Sequence, residues 1–334
     1  MKPLVTFERG GQREAEQEFT AIAVDSQTGT VLNVVGDREL VTTWRSAAKP
    51  FQLEVTAGTL GSERIRNLPP RAFAIGAASH TGEPEHVRLV SGLLAEFGRT
   101  EQDLFCGAHW PTHEASRVAF CAAGATAPSV LQNNCSGKHT FMAASCAVKG
   151  WEPDYRPKSH PLQQAILSRL GERLGNPGQV AGQVVDGCGV PCFVLRLESM
   201  ARLWSQLAAE MAHAAPSLLG KIGLSMNAES FYSSGGDQLD GIVIRAACDG
   251  VEPKLVAKIG AEGLMCFAFP VQKVGVAIKI HSGRDEARGA ACGWVLKNWF
   301  PGVIGDPEQV LAPFTEIRNI AGDLVGHRLV ASPR

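Results

Sequence analysis

The sequence predicts a mixed, layered α/β fold. Segments with strand character are interspersed with segments of helical periodicity, and hairpin-like pairs of strands lie near both ends of the chain. A hairpin joins antiparallel strands, so these pairs argue against a sheet that is built only from parallel strands. No fixed-period repeat, low-complexity segment or long charge run marks a linker, and we therefore expect residues 1–334 to form a single unit.

The predicted strands are short apolar or alternating runs that are bounded by turn residues. The first two are joined by the turn-rich tetrapeptide 26–29, which favours a hairpin. The run at residues 72–78 is continuously apolar, as in a buried strand. The predicted segments are Phe19–Asp25, Thr30–Val35, Ala72–Ala78, Cys192–Leu197, Gly241–Ala247, Leu264–Phe269 and Gly275–His281.

The predicted helices place apolar residues every three or four positions. Pro50 is compatible with the first of these helices only in its first turn, where the missing N–H costs no hydrogen bond. The last predicted helix follows the final strands. The helical segments cover residues 47–58, 83–97, 138–148, 162–174 and 284–299.

Charge and composition exclude two classes of function. Lys plus Arg number 32 and Asp plus Glu number 33, which leaves a formal net charge of −1. Neither a strongly basic nucleic-acid binder nor a polybasic membrane-surface protein is therefore expected. Only 19% of the residues are charged and 45% are hydrophobic, which supports a sizeable folded core rather than disorder.

The cysteines bear on the compartment. There are nine, an odd number, and their spacing shows no small disulfide framework. Residues 1–19 lack the apolar stretch of a secretory signal, and the longest apolar region, 263–280, is interrupted by Pro270. We therefore expect a cytoplasmic protein without a membrane-spanning segment. Most of its cysteines then act as small buried hydrophobic residues, which leaves two or three for metal binding or chemistry.

A serine and a lysine stand three residues apart at the start of the first predicted helix. In the segment RSAAKP at residues 45–50, this spacing puts Ser46 and Lys49 on one helix face, so the amine can reach the hydroxyl. A lysine activates a serine nucleophile only when burial or a nearby cation lowers its pKa. An ordinary helix start explains the same pattern.

Two other segments offer a second serine and a second lysine. Ser79 opens the segment SHTGE at the end of an apolar run, a common place for exposed functional groups, although a helix N-cap explains it too. Lys258 has the apolar neighbours Ala257 and Ile259, which favour partial burial and a lowered pKa. Its K-x-G context before a strand is typical of acyl-serine enzymes that bind penicillin, and a strand-edge lysine is the alternative.

Two glycine-flanked thiols form a further constellation. In the segment NNCSGKH at residues 133–139, Cys135, Lys138 and His139 lie within about one helical turn. A thiolate beside a lysine is either an activated cysteine or a metal ligand. Together with Cys188 in the segment DGCGVPC, it can hold zinc, with Lys138 or His139 as a third ligand. Buried structural thiols are the alternative, since no C-x-x-C motif is present.

Taken together and in this order, these segments resemble the L-asparaginases of the Rhizobium etli type, in the asparaginase II family. The matching segments are residues 45–52, 78–86, 133–139, 186–191 and 258–263. Bacterial asparaginases with threonine nucleophiles are not similar. The resemblance implies a fold like that of serine β-lactamases and glutaminases, with one catalytic domain over residues 1–334. It also implies hydrolysis of L-asparagine to L-aspartate and ammonia by a homodimer.

The resemblance further implies a role for each matching residue. Ser46 matches the nucleophile and Lys49 its partner, while Ser79 and Lys258 match a second Ser–Lys pair. Lys49 as a neutral amine would take the proton of Ser46, which attacks the side-chain amide carbon of asparagine. Ammonia then leaves, and water hydrolyses the acyl-enzyme.

Metal and substrate binding are implied in the same way. The zinc ligands that the resemblance implies are Cys135, Lys138 and Cys188. Asp186 matches a substrate-binding acid, and Arg45 and His139 are further substrate-binding candidates. The other seven cysteines are then expected to pack in the core.

Two alternatives stay open. One is another acyl-serine amidohydrolase, such as a glutaminase or a β-lactamase-like enzyme, although enzymes directed at penicillins usually work outside the cytoplasm. The other is a thiol-based zinc or redox sensor built on Cys135 and Cys188. Such a sensor has no need of two Ser–Lys pairs. Ammonia release from asparagine, compared with glutamine, separates these readings.

Overall fold

The structure is a computed structural model that describes residues 3–248 and 252–331. Strands and helices alternate along much of it, and the mixed α/β class is confirmed. Its strands are β1 (Leu4–Arg9), β2 (Gln12–Asp25), β3 (Val31–Val35), β4 (Val41–Thr43), β5 (Val180–Val185), β6 (Pro191–Arg196), β7 (Val256–Gly260), β8 (Leu264–Phe269), β9 (Val274–Ile280), β10 (Glu316–Arg318) and β11 (Leu324–Val330).

The helices range from four to fifteen residues. They are α1 (Lys49–Gly58), α2 (Ser62–Asn67), α3 (Pro70–Gly76), α4 (Pro84–Glu96), α5 (Glu114–Ala122), α6 (Ser136–Lys149), α7 (Pro161–Leu174), α8 (Leu197–Met211), α9 (Leu218–Ala228), α10 (Ser230–Ser233), α11 (Leu239–Ala246), α12 (Arg288–Trp299), α13 (Pro307–Val310) and α14 (Ala312–Thr315). Short 3₁₀ turns separate several of them, and the one at Arg45–Ala48 leads into α1.

The chain folds as two compact units. Unit 1 contains the described residues of Met1–Ala47, Leu195–Ala214 and Ile242–Arg334. Unit 2 contains Ala48–Val194 and Ala215–Gly241. The expectation of one catalytic domain over the whole chain concerns function, and it stays a prediction.

Unit 1 is built around one antiparallel sheet. Its strand order is β10–β11–β1–β2–β9–β8–β7, and β3 pairs with β2 beside this path. Each of these pairings is antiparallel. The sheet therefore contains the predicted hairpin of the N-terminal part and the predicted pair of strands near residues 264–281.

Helices cover both faces of this sheet. A Cβ atom on Gly275 would lie 2.0 Å from Ser205 N, so α8 packs directly on the backbone of β9 there. On β2, Val24 pairs with Gly275 and Phe19 lies five positions away, on the opposite face. The Phe19 ring contacts the ring of Trp294 in α12, with centroids 6.0 Å apart. The sheet of unit 1 is therefore the middle layer between α8 and α12.

Unit 2 is mainly helical. Helices α1, α3, α4, α6, α7 and α9 pack against one another. The packing of α3 on α6 depends on two glycines, since a Cβ atom on Gly137 would lie 2.2 Å from Ile75 O, and one on Gly76 would lie 2.8 Å from the Phe141 ring. Strands β5 and β6 form a small sheet in this part of the chain.

Two predicted strands are helices. Residues 72–78 lie mostly in α3 and residues 241–247 mostly in α11. Both segments are short runs of apolar residues, and such a run reads the same in a buried strand and in a buried helix. In the first case Pro70 stands in the first helical turn, where proline is favoured, and this signal outweighs the strand-like composition.

The other predicted elements agree with the structure to within a few residues, except at two starts. Strand β2 already begins at Gln12, before the predicted start at Phe19, and the last helix begins later than predicted. That helix begins at Arg288, after a 3₁₀ turn at Asp285–Ala287. The long helix α8 and the strands β1, β7 and β11 were not predicted. Most of the seven remaining cysteines are buried, as expected, but Cys121 and Cys248 are exposed.

Candidate active site

The side chain of Lys49 is buried in unit 2 against a serine. Lys49 is the first residue of α1 and is only 1% exposed. Its Nζ lies 2.9 Å from Ser79 Oγ and also donates to Ala78 O and, at 3.5 Å, to Asn134 O. These oxygens supply acceptors to a group that is otherwise costly to bury.

Ser79 lies in the segment between α3 and α4, and this segment is buried rather than exposed. Ser79 is 6% exposed, and His80 and Thr81 are buried beside it. Gly82 has a φ of +76°, and a Cβ atom there would lie 2.8 Å from Gln132 O, so a glycine is required at this turn. The expectation of exposed groups at the end of this apolar run is therefore wrong, because the chain in front of α6 packs directly on the segment.

A second group of side chains, the thiol cluster, comprises Cys135, Lys138 and Cys188. Cys135 immediately precedes α6, Lys138 lies in its first turn, and all three side chains are buried. Lys138 Nζ lies 3.1 Å from Cys188 Sγ. A hydrogen bond from the Cys188 thiol holds the pKa of Cys135 well below its usual value, against the effect of burial. The same hydrogen bond, together with burial, raises the pKa of Cys188.

The two sulfurs of the thiol cluster change the pKa of Lys138. Burial alone would lower the pKa of Lys138, but the neighbouring sulfurs of Cys188 and Cys135 raise it above its usual range. The buried thiol cluster therefore favours a thiolate on Cys135 and a protonated amine on Lys138.

Asp186 lies at the edge of the thiol cluster. The segment 186–190 is a tight turn, in which Gly189 N donates to Asp186 O at 2.9 Å and Gly189 has a φ of +84°. Asp186 Oδ1 accepts a hydrogen bond from Gly187 N at 2.9 Å, and Oδ2 lies 3.9 Å from Cys188 Sγ. The turn thus presents a carboxylate and a thiol side by side.

His139 is buried in the first turn of α6. Its Nδ1 lies 2.8 Å from the hydroxyl of Tyr155. Its Nε2 is buried and has no hydrogen-bond partner of standard geometry within the described residues. Burial lowers the pKa of His139 to about 4, against a smaller opposite effect of the Cys188 sulfur. The imidazole is therefore neutral at neutral pH.

The fit of the thiol cluster to zinc is a matter of donor chemistry. In the parts of the chain that the structure describes, no group of three or more His, Cys, Asp or Glu side chains is arranged to hold a metal ion. The implied set instead combines two sulfurs with the amine of Lys138, which binds a metal only after it loses its proton. Sulfur and nitrogen donors are those that Zn²⁺ prefers, and His139, which follows Lys138 in the chain, adds a buried imidazole that interacts with the Cys188 sulfur. These donors fit zinc, and its binding remains a proposal.

Three of the predicted site residues lie in unit 1. Arg45 and Ser46 stand in the 3₁₀ turn before α1, and Arg45 has a φ of +43°, unusual for a residue with a side chain. The Trp204 Nε1–H group donates to Ala47 O at 3.2 Å and so holds this turn on α8. Lys258 lies in β7 and is fully buried.

Within unit 2, the structure brings Lys49 next to Ser79, the serine of the other predicted pair. The predicted partnerships of Ser46 with Lys49 and of Ser79 with Lys258 stay predictions. Two further residues contact the predicted ones. Tyr155 contacts His139, and Glu262, within the matching segment 258–263, has its Oε1 3.7 Å from Arg45 Nη1 in unit 1. Neither contact follows from local spacing, because each joins residues that are well separated in the sequence.

The family follows from comparison with known sequences. The family model of L-asparaginase II matches residues 5–328. The chain belongs to the L-asparaginase II family. Among curated proteins, no relative matches the sequence.

Solved structures of low identity are also similar to the chain. One is a β-lactamase from Mycobacterium bovis, which is 11% identical. The match covers 89% of this chain and 94% of the β-lactamase chain, with a TM-score of 0.40. Another is Mglu in its native form, 14% identical over 84% of this chain, with a TM-score of 0.38. The chain spans only 61% of the Mglu chain.

Among the residues that the structure describes, none of the helices combines the length and the apolar character needed to cross a membrane.

Proposed function

We propose that the protein is an L-asparaginase of the Rhizobium etli type, which hydrolyses L-asparagine to L-aspartate and ammonia through a Ser–Lys mechanism. The observation that carries this proposal is the buried Lys49 amine, 2.9 Å from Ser79 Oγ, in a member of the L-asparaginase II family. The proposal includes a cytoplasmic homodimer.

The chemistry requires one hydroxyl to become a nucleophile. Ser46 Oγ attacks the side-chain amide carbon of asparagine while Lys49, as a neutral amine, takes its proton. The C–N bond then breaks, the leaving nitrogen takes up a proton, and ammonia departs from an aspartyl ester on Ser46. Water hydrolyses this ester and restores the serine. The hydrogen bond from Lys49 to Ser79 supports a role for Ser79 in passing on the proton that Lys49 receives.

Ammonia release from three substrates tests the proposed activity. The purified protein is given asparagine, glutamine and, in a parallel hydrolysis assay, a β-lactam. Turnover of asparagine well above that of glutamine, with no β-lactam hydrolysis, is expected. Preferential turnover of glutamine or of the β-lactam would replace the proposal with the corresponding acyl-serine activity. A protein that is folded but hydrolyses none of them would favour the thiol-based sensor.

We propose that Cys135, Lys138 and Cys188 hold a zinc ion. When bound, Zn²⁺ supplies a Lewis acid that can orient the charged groups of a substrate. The donors on which this rests are the thiolate of Cys135, the sulfur of Cys188 and the lysine amine next to it.

Metal analysis tests the zinc proposal independently of activity. Purified protein is expected to contain about one equivalent of zinc per chain, and the Cys135→Ser variant much less. Cys146→Ser, which changes a buried cysteine farther along α6, is the matched control and should keep its zinc. Protein without zinc, or equal zinc in Cys135→Ser, would contradict this ligand set.

A further inference from the structure

His80 follows Ser79 directly and is fully buried. Its Nδ1 accepts a hydrogen bond from Gly82 N at 3.1 Å, and its Nε2 lies 2.9 Å from Ser136 Oγ. Because Nδ1 is an acceptor, the ring proton lies on Nε2, which donates to Ser136 Oγ. The Ser136 hydroxyl in turn donates to Leu131 O at 3.0 Å. The ring is therefore held in one tautomer and one orientation.

The hydrogen bond between His80 and Ser136 joins two functional segments. Ser136 is the first residue of α6 and follows Cys135 of the thiol cluster. The backbone next to Ser79 is thus attached to the start of the helix that carries Cys135 and Lys138. No residue of this link has a role in the proposed mechanism.

Other contacts bring the same two segments together. Lys49 Nζ donates both to Ala78 O, before Ser79, and to Asn134 O, before the thiol cluster. A Cβ atom on Gly137 would lie 2.2 Å from Ile75 O, so the two backbones approach closely. The His80–Ser136 hydrogen bond therefore adds a further contact between the segment that carries Ser79 and the start of α6. A displacement of one segment is then transmitted to the other.

We propose that His80 and Ser136 are positioning residues. They hold the Ser79 hydroxyl at hydrogen-bond distance from Lys49 Nζ and fix the backbone of Ser79 relative to the start of α6. This proposal rests on the amide hydrolysis proposed above. The hydroxyl of Ser79 lies 2.9 Å from Lys49 Nζ, and a displacement of ~1 Å in such a geometry costs on the order of 100-fold in rate. His80 and Ser136 act through Ser79, so their loss lowers kcat more than it raises KM.

Variants of the two residues test the donor and the acceptor of the His80–Ser136 hydrogen bond separately. His80→Asn keeps an acceptor near Nδ1 for Gly82 N but is too short to reach Ser136, while His80→Gln places an amide donor near Nε2. Ser136→Ala removes the acceptor of the His80–Ser136 hydrogen bond and also the hydrogen bond that the Ser136 hydroxyl donates to Leu131 O. We expect His80→Asn and Ser136→Ala to lower kcat by about 10- to 100-fold with KM within about twofold. His80→Gln should restore kcat to within about threefold of the wild type.

The double variant tests whether the two residues act as one unit. If the His80–Ser136 hydrogen bond is what matters, His80→Asn combined with Ser136→Ala should lose little more kcat than either change alone. Losses that multiply would show that the two residues act independently, and would overturn the proposed pair.

Two buried side chains of the same types serve as controls. His160 is a buried histidine at the start of α7 that accepts a hydrogen bond from Leu162 N at 3.1 Å through Nδ1 and lies 3.0 Å from Glu152 O through Nε2. Ser145 is a buried serine of α6 that donates to Thr56 O at 2.8 Å. We expect His160→Asn and Ser145→Ala to lower Tm as much as the test variants, with kcat within about twofold of the wild type.

The assay is ammonia release from asparagine, with Tm measured for each protein. Wild-type kcat in both His80→Asn and Ser136→Ala, or an equal loss of kcat in His160→Asn at matched Tm, would overturn the positioning role. If His80→Asn does not fold, Ser136→Ala decides between these outcomes. A wild-type protein that hydrolyses no amide would overturn the proposed function and this inference together, whereas an active wild type with unaffected variants overturns the inference alone.

Discussion

Lys49 shows at the scale of single residues how the site combines burial with reactivity. Its side chain extends from the first turn of α1 into the protein and is 1% exposed. The N–H groups of a lysine amine require acceptors when they leave water, and Ala78 O, Ser79 Oγ and Asn134 O lie within hydrogen-bond distance of Lys49 Nζ. The same arrangement keeps a serine hydroxyl against the amine.

Two substitutions of Lys49 distinguish a proton acceptor from a structural cation. Lys49→Met removes the amine and should lower kcat by about 1,000-fold or more, as the loss of a catalytic dyad member does. Lys49→Arg keeps a positive charge and hydrogen-bond donors but cannot accept a proton near neutral pH, so it should be equally inactive. The measurement is steady-state ammonia release from asparagine by folded protein. Lys149→Met, at the exposed end of α6, is the control. High activity in Lys49→Arg would show that only the charge is needed.

The sequence identified many of these residues but not their neighbours. Cys135, Lys138 and His139 lie within one turn of α6, and this closeness follows from helical spacing alone. The contact of Lys49 with Ser79 joins residues 30 positions apart, and the contact of Lys138 with Cys188 joins residues 50 apart. Such pairs depend on how helices and turns pack, which local patterns do not encode.

Helices α1 and α7 illustrate the scale of secondary-structure elements. Glu54 of α1 is nearly buried and accepts hydrogen bonds from Arg169 and Arg173 of α7, at 2.8 Å and 2.6 Å. Burial alone would raise the pKa of Glu54, but the hydrogen bonds from Arg173 and Arg169 lower it overall. This ion pair fixes the helix on which Lys49 stands.

The Glu54 ion pair predicts a pH dependence of stability. Because the pKa of Glu54 is lower in the folded state, its contribution is complete above the unfolded value of 4.5 and is lost as the pH falls through the lower folded value. Glu54→Gln should therefore lower the free energy of unfolding by about 3 kcal/mol at pH 7 and by much less in acid. Urea denaturation at both pH values measures this.

Glu172→Gln is the matched control for Glu54. Glu172 also binds Arg169, at 3.0 Å, but its side chain is 59% exposed, so its loss should cost at most ~0.5 kcal/mol. Equal effects of the two variants at pH 7 would contradict a special role for the buried pair.

The contact of α6 with the end of α3 predicts an effect of glycine replacement. A Cβ atom on Gly137 would lie 2.2 Å from Ile75 O, which is backbone and cannot move aside cheaply. Gly137→Ala should therefore lower both Tm and kcat, since Ser79 follows α3. Gly92→Ala in α4 meets no atom within 4 Å and should instead stabilise by about 0.5–1 kcal/mol. Thermal unfolding and ammonia release of both variants check this, and an unchanged Gly137→Ala protein would contradict the close packing.

Periodicity predicted the amphipathic helices α4 and α7, since each has one buried face. It failed for α3 and α11, which are short apolar runs. A helix that is buried on most sides carries no 3.6-residue pattern, and only flanking residues such as Pro70 indicate its type.

At the scale of the whole molecule, the mixed α/β fold class predicted from the sequence is confirmed. The strand order of the sheet could not be predicted from the sequence. The sheet of unit 1 combines strands from the first 35 residues with strands after residue 255, so its order depends on pairings between the two ends of the chain. Family membership rests on motifs spread over residues 45–263, and the match over residues 5–328 agrees with that spread. The order of the motifs along the chain therefore indicated the family, which no single motif did.

The turnover of Ser46→Ala tests the central claim most directly. The chain is expected to hydrolyse asparagine through an ester on Ser46, and without this hydroxyl the ester cannot form. Ammonia release from asparagine by folded Ser46→Ala protein should therefore fall by about 1,000-fold or more relative to the wild type. Turnover close to that of the wild type would contradict the account, because the amide bond would then be broken without the proposed nucleophile.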